Sequence, residues 1–185
     1  PGPNNYPEIP IYIAGVNPGL ARLAGEMCDG FHVHPFHTPE YLSEVMLPAI
    51  VEGTAKSDRT REDISVAASV FIATNDDERE ACRQSISFYA STPSYRPVLE
   101  HHGWLDVGEK LSSLAARGEW REMPSLITDD MLEKFCITTE SPSEMAAALH
   151  KRYASLADRI TPYLPFIPDD KDDFWREMAG EFAEN

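Results

Sequence analysis

Apolar and polar positions along the chain change period several times, and each change marks an element. Ile9-Pro10-Ile11-Tyr12-Ile13-Ala14-Gly15 is a short β-branched run that predicts a buried strand. From Leu20 to Cys28 the period is helical, with Leu20, Leu23, Ala24 and Met27 on one face. Asp29-Gly30 ends that helix, because glycine suits the left-handed position after a C-cap. Phe31 to Phe36 predicts a second strand, and the short helical crossover makes the two strands parallel. Thr38 as N-cap and Pro39 at the first helical position open a helix to about Gly53, which Pro48 is expected to kink. Ile64 to Thr74 is the longest strand signal. Asp76-Asp77-Glu78 then puts acids at the start of a helix to Ala90, where the helix dipole favours them.

The remainder is read as a helical insertion over 77–135, a last strand and a closing helix. About eighty residues separate the third and fourth strand signals, far more than a crossover needs. Thr128-Asp129-Asp130 starts one helix of the insertion, and Trp104 and Trp120 are expected in its core. Ser141-Pro142-Ser143-Glu144 is a capping signal for a helix to about Ala154. Asp158 to Phe166 predicts the last strand; Pro162 and Pro165 suit its end or a sheet edge. Residues 169–185 read as a closing helix and acidic tail, and the Pro- and Asn-rich residues 1–8 as a linker.

The turn Gly15-Val16-Asn17-Pro18-Gly19 carries the first candidate chemistry. It sits between a strand and a helix, where free N–H groups and the helix dipole favour an anion, usually a phosphate. Pro18 has no N–H, so the candidate donors are Val16, Asn17, Gly19 and Leu20, next to Gly15. Plain turn chemistry is the competing reading.

Composition narrows the rest. The 185 residues are 42% hydrophobic, enough for one domain with a core. A net charge of −15 disfavours nucleic acid and anionic membrane surfaces, which attract basic patches. No run of eighteen apolar residues is present. The chain opens on Pro1-Gly2-Pro3, so a preceding piece is expected to be missing and no signal peptide is read. Cys28, Cys82 and Cys136 lack disulfide or zinc spacing and read as buried thiols of a cytoplasmic protein. His32, His34 and His37 lack a visible partner carboxylate, so no metal is expected, and they are read as pocket or core residues. There is no nucleophile elbow, Walker loop or dinucleotide GxGxxG.

Several stretches together resemble the luciferase-like monooxygenase family, in its coenzyme F420-dependent oxidoreductase branch. They are Ile11-Tyr12-Ile13-Ala14-Gly15 with Pro18-Gly19, Leu23-Ala24-Gly25-Glu26 with Asp29-Gly30, His34 to Leu42, Phe88 to Tyr95, His102-Gly103-Trp104, Ile127 to Leu132, and Arg152-Tyr153 with Ala157-Asp158-Arg159. The resemblance implies an α/β fold from a (β/α)8 TIM barrel, a fold of about 300 residues in this family. This chain resembles only the C-terminal half, strands five to eight, with a helical insertion before the last strand. It implies part of an enzyme that moves a hydride between F420 (alternatively FMN) and a small organic substrate, the segment by itself being inactive. Gly15, Val16, Asn17, Gly19 and Leu20 would meet the cofactor, and His34 and Arg159 would line the substrate pocket. No catalytic residue is carried over, because the absent half holds most of them. The alternative is a non-catalytic half-barrel binding protein that self-associates, since open sheet edges invite pairing. A homodimer, or pairing with the missing N-terminal half, is therefore expected.

Overall fold

The computed structural model describes residues 9–165 and 167–184. The linker expectation for 1–8, and the expectations for Phe166 and Asn185, lie outside the described residues. Five parallel strands form one sheet: β1 (Tyr12–Gly15), β2 (Gly30–Val33), β3 (Ser65–Ala73), β4 (Cys136–Thr138) and β5 (Arg159–Tyr163). Strands β1, β2 and β3 lie side by side, with Gly15 opposite Val33 and Val33 opposite Ala68. Phe71 is in register with both Cys136 and Tyr163, so β4 and β5 occupy opposite edges of β3. β4 thus continues the edge on which β2 ends.

Helix α1 (Pro18–Met27) connects β1 to β2. Its buried residues are Ala21, Ala24 and Gly25, while Leu20, Leu23 and Met27 are exposed. The stripe of large side chains therefore does not enter the core. The reason is the neighbouring helix α3 (Leu47–Thr54), whose backbone approaches α1 so closely that only small residues fit between them. A Cβ on Gly25 would stand 2.2 Å from the Ile50 carbonyl oxygen, and one on Gly53 would stand 2.0 Å from that of Arg22.

The chain reaches α3 through a short α-turn, α2 (Pro39–Tyr41), and a π-turn over Leu42–Met46. Thr38 caps α2, its Oγ1 accepting from the Tyr41 N–H at 3.1 Å. The kink expected of Pro48 takes the form of this π-turn, in which the Leu47 N–H reaches back to the Leu42 carbonyl. Pro48 has no N–H to give, and the widened turn just before it absorbs the misfit.

Between β3 and β4 lie four helices: α4 (Asp76–Ala90), α5 (Arg96–His101), α6 (Leu105–Ala116) and α7 (Asp129–Phe135). Asn75 caps α4 through the Glu78 N–H, and Thr128 caps α7 through the Met131 N–H. Thr128 is exposed and its cap bond is its structural role, so Thr128→Ala should cost about 1 kcal/mol, read as a lower urea midpoint with an unchanged slope. Helix α8 (Pro142–Tyr153), capped by Ser141, leads into β5, and α9 (Asp172–Glu184) follows. Strand β4 goes unpredicted from sequence: it is three residues long and follows α7 with no turn residue between. Pro162 lies in β5, which pairs with β3 alone among the described strands, and an edge strand tolerates the missing N–H.

The two faces of the sheet differ. Phe31, Val33, Val66, Ala68, Val70, Ile72 and Ile137 alternate onto one face, and all are buried. Ala14, His32, Arg159, Thr161 and Tyr163 alternate onto the other, and all are exposed. Parallel sheets are ordinarily covered on both faces. The outer edge of β1 continues into exposed Ile9 and Ile11, beside the exposed stripe of α1.

Candidate functional site at the carboxyl ends of the strands

The glycine turn after β1 delivers Asn17 to the N-cap of α1 in an extended conformation. Its carbonyl accepts from the Ala21 N–H, but its side chain does not cap the helix. Instead its Nδ2 donates to the Ser94 carbonyl at 2.9 Å, and its Oδ1 is buried with no partner. No acidic residue occupies the first turn of α1, in contrast to α4, α7, α8 and α9. Val16 is buried, Gly15 and Asn17 are half-buried, and Gly19 and Leu20 are exposed. A Cβ on Gly19 would meet nothing within 4 Å, so the turn is open there.

The Gly15 carbonyl accepts from the His34 N–H at 3.1 Å, which brings this turn and the end of β2 together. His34 Nδ1 accepts from the Phe36 N–H at 3.1 Å. A neutral imidazole with Nδ1 so engaged carries its proton on Nε2, and that atom lies 3.5 Å from the Tyr95 hydroxyl. Burial holds the His34 pKa below the ordinary imidazole value, which keeps the ring neutral near pH 7. The His34 ring packs edge-on to Tyr89 at 4.8 Å and against Tyr95 at 4.9 Å.

The wall extends across the strand ends. The Tyr89 and Tyr163 hydroxyls lie 3.1 Å apart, and the Tyr163 ring packs edge-on to Phe71. Burial and the bond to Tyr163 push the Tyr89 pKa up to about 12, so it stays a neutral hydroxyl. A groove of about 330 Å³ runs between α4 and β5, lined by Phe71, Cys82, Ser85, Pro162 and Tyr163 among others. Lys171, in the segment after β5, donates to Thr74 Oγ1 at 2.7 Å and pairs with Glu78, tying that segment to the end of β3.

The structure thus groups Gly15, Asn17 and His34 at one end of the sheet. Arg159 stands apart from them. It begins β5, beside Ala67 and in one row with His32, and lies four residues, about 13 Å of strand, before Tyr163. It is exposed and makes no ion pair with a described residue. Sequence reasoning missed Tyr89, Tyr95 and Tyr163. Tyr89 and Tyr95 lie in the Phe88 to Tyr95 stretch, but nothing in their spacing distinguishes a site tyrosine from a core one. Trp120, expected in a core, is 50% exposed.

Among the described residues no group of three or more His, Cys, Asp and Glu is placed to hold a metal. The three cysteines are free and buried. No helix among the described residues is long and apolar enough to cross a membrane.

Comparison with known proteins places this geometry. A protein of uncharacterized function from Mycobacterium tuberculosis is 39% identical over 168 residues, covering 88% of this chain and 49% of its own length. The 5,10-methylenetetrahydromethanopterin reductase of Archaeoglobus fulgidus is 27% identical over 173 residues, covering 89% of this chain and 51% of the reductase. The structure of the coenzyme F420-dependent tetrahydromethanopterin reductase from Methanopyrus kandleri superposes with a TM-score of 0.68 at 25% identity, over 94% of this chain and 49% of that one. The chain therefore spans about half the length of the curated relatives it matches. Residues 1–159 match the luciferase-like monooxygenase family. With its parallel α/β sheet and this coverage, the chain belongs to the luciferase-like monooxygenase family.

Proposed function

We propose that this chain is the C-terminal half of a (β/α)8 barrel oxidoreductase that uses coenzyme F420 and acts on a small organic substrate. The observation that carries the cofactor assignment is the uncapped, acid-free N-terminus of α1 in a chain of net charge −15. Every other long helix whose start is described places acids in its first turn or caps itself, except α3, which continues from the π-turn. The donors of α1 are left for an anionic group, and the phosphorylated tail of the cofactor fits them. Val16, Asn17, Gly19 and Leu20 would hold that tail, with Gly15 keeping the backbone close and the unpartnered Asn17 Oδ1 available to a donor of the ligand.

When bound, the deazaflavin supplies a hydride acceptor or donor. The residues of this chain orient and shield the reacting groups. Phe71, Tyr89, Tyr95 and Tyr163 form a wall that excludes water, and neutral His34 orients the Tyr95 hydroxyl by pointing Nε2–H at its oxygen. Arg159 and His32 on the open sheet face would meet the other half of the barrel, as would the open edge of β1. That half corresponds to the length of the relatives which this chain does not cover, and it is the partner we favour over a second copy. Three buried free thiols suit a reducing, cytoplasmic setting.

Fluorescence titration of F420 against the intact native protein tests the assignment. Saturable binding is expected, and Asn17→Asp, which puts a carboxylate at the anion site, should weaken it at least about tenfold. Absence of binding, or an unchanged affinity in Asn17→Asp, would overturn it.

A further inference from the structure

The helical segment between β3 and β4 carries an exposed aromatic surface that the site described above does not use. Phe88 on α4 is 53% exposed and Trp120 is 50% exposed, and their ring centroids lie 6.2 Å apart. They flank a groove of about 330 Å³ lined also by Gln84, Ser85, Ser87 and Tyr89. Large aromatic side chains left half in water at adjoining positions mark an interaction site.

We propose that this groove is a ring-stacking subsite for a flat, uncharged aromatic part of the organic substrate. Charge supports that class of ligand. Asp76, Asp77, Glu78, Arg79, Glu80 and Arg83 crowd the first half of α4, yet the groove is lined by no charged side chain. An ionic ligand would find no counter-charge there. Its polar edge is neutral as well: the Ser85 and Ser87 hydroxyls are committed to the Ala81 and Gln84 carbonyls, and the Gln84 amide is free to meet a ring substituent. Position supports a substrate role. Tyr89 lines this groove and also packs against His34, and Ser85 borders both this groove and the one beside Tyr163. A ring seated on Phe88 and Trp120 is therefore continuous with the aromatic wall at the strand ends. This assignment rests on the proposed redox site there, but its test needs no cofactor.

The probe is 2-naphthol, a flat bicyclic alcohol, neutral at pH 7, with decahydro-2-naphthol as its non-flat counterpart. Both are titrated into the intact native protein, and the indole N–H resonance of Trp120 is followed, assigned by its loss in Trp120→Phe. The 2-naphthol is expected to shift that resonance, and to bind about tenfold or more weakly in Trp120→Ala. The saturated alcohol is expected to bind at least about tenfold more weakly than 2-naphthol, since stacking requires a π face. Trp120 is half exposed, so its replacement leaves the fold intact, and Phe88→Leu provides an independent variant expected to weaken the same binding. Equal binding of the two alcohols, or binding unaffected by both variants, would overturn the proposal. So would a Trp120 resonance that moves with protein concentration alone, because the surface would then seat a second copy. Failure of F420 to bind while 2-naphthol binds would leave this groove standing and remove the cofactor assignment; the reverse result would do the opposite.

Discussion

Gly53→Ala lowers the stability of the protein by about 3 kcal/mol, at the upper end of what overpacking costs. Helix propensity alone predicts the opposite sign, a gain of about 1 kcal/mol for replacing a mid-helix glycine by alanine. The difference lies in the contact. The new Cβ would stand 2.0 Å from the Arg22 carbonyl oxygen and 2.9 Å from the Glu26 nitrogen. Both are helix backbone, which cannot rotate aside as a side chain can, so α1 and α3 must separate along their shared length. Gly25→Ala meets the same obstacle from the other side, at the Ile50 carbonyl. The double variant should lose less than the sum of the two, because helices once spread have surrendered the same contacts. Gly180→Ala in α9 is the control. Nothing lies within 4 Å of the added Cβ there, and a gain of up to about 1 kcal/mol is expected. Urea unfolding at fixed slope measures all four; a Gly53→Ala protein as stable as the parent would refute this account of the helix contact.

Stability also falls by about 3 kcal/mol as the pH drops from 6.5 toward 4, through His37. The residue is fully buried, and desolvation lowers its pKa from 6.5 to about 4. Its Nδ1 faces the His34 carbonyl at 2.8 Å, and its Nε2 faces the interior with no partner. The nearby Tyr153 ring, edge-on at 5.7 Å, brings no charge. Within this window the unfolded chain binds a proton at His37 that the folded chain refuses, so stability rises with pH and levels off above 6.5. His34 and His102, whose pKa values burial also lowers, add to the slope with the same sign. Carboxylates contribute mainly near and below their ordinary range of about 4, so the interval from 6.5 to 5 reports the histidines. In His37→Asn the side-chain amide can still donate to the His34 carbonyl, and most of the slope should vanish. A slope unchanged in that variant would assign the effect elsewhere.

Much of this architecture is legible in the residue pattern, and the exceptions have physical causes. The four strands rich in apolar and β-branched residues are visible as runs, and Thr128, Ser141 and the acids before α4 mark helix starts where the structure has them. β4 is too short to carry a period. In α1 the pattern misleads: Leu20, Leu23 and Met27 have the spacing of a buried stripe, but the closest neighbour selects Ala21, Ala24 and Gly25. Periodicity shows which side chains share a face and not which face a neighbour will take. The glycine turn is likewise visible as a candidate anion site, whereas the tyrosine wall is not. Tyr95 meets His34 across 61 positions and Tyr163 meets Tyr89 across 74. Contacts at that separation are created by the sheet and leave no local mark.

The π-turn over Leu42–Met46 has a consequence for insertions and deletions. It holds one residue more than an α-helical turn would need, and α3 is aimed by that surplus. Removing any one residue from the turn would restore ordinary spacing but rotate everything after it by about 100°. Ile50, Gly53 and Thr54 would then turn away from α1, and a larger side chain would come to face the Arg22 carbonyl. Substitutions at these five positions can be absorbed one side chain at a time, but a change in their number misaligns a whole helix. The count of residues between Thr38 and Pro48, more than their identity, sets how α3 meets α1.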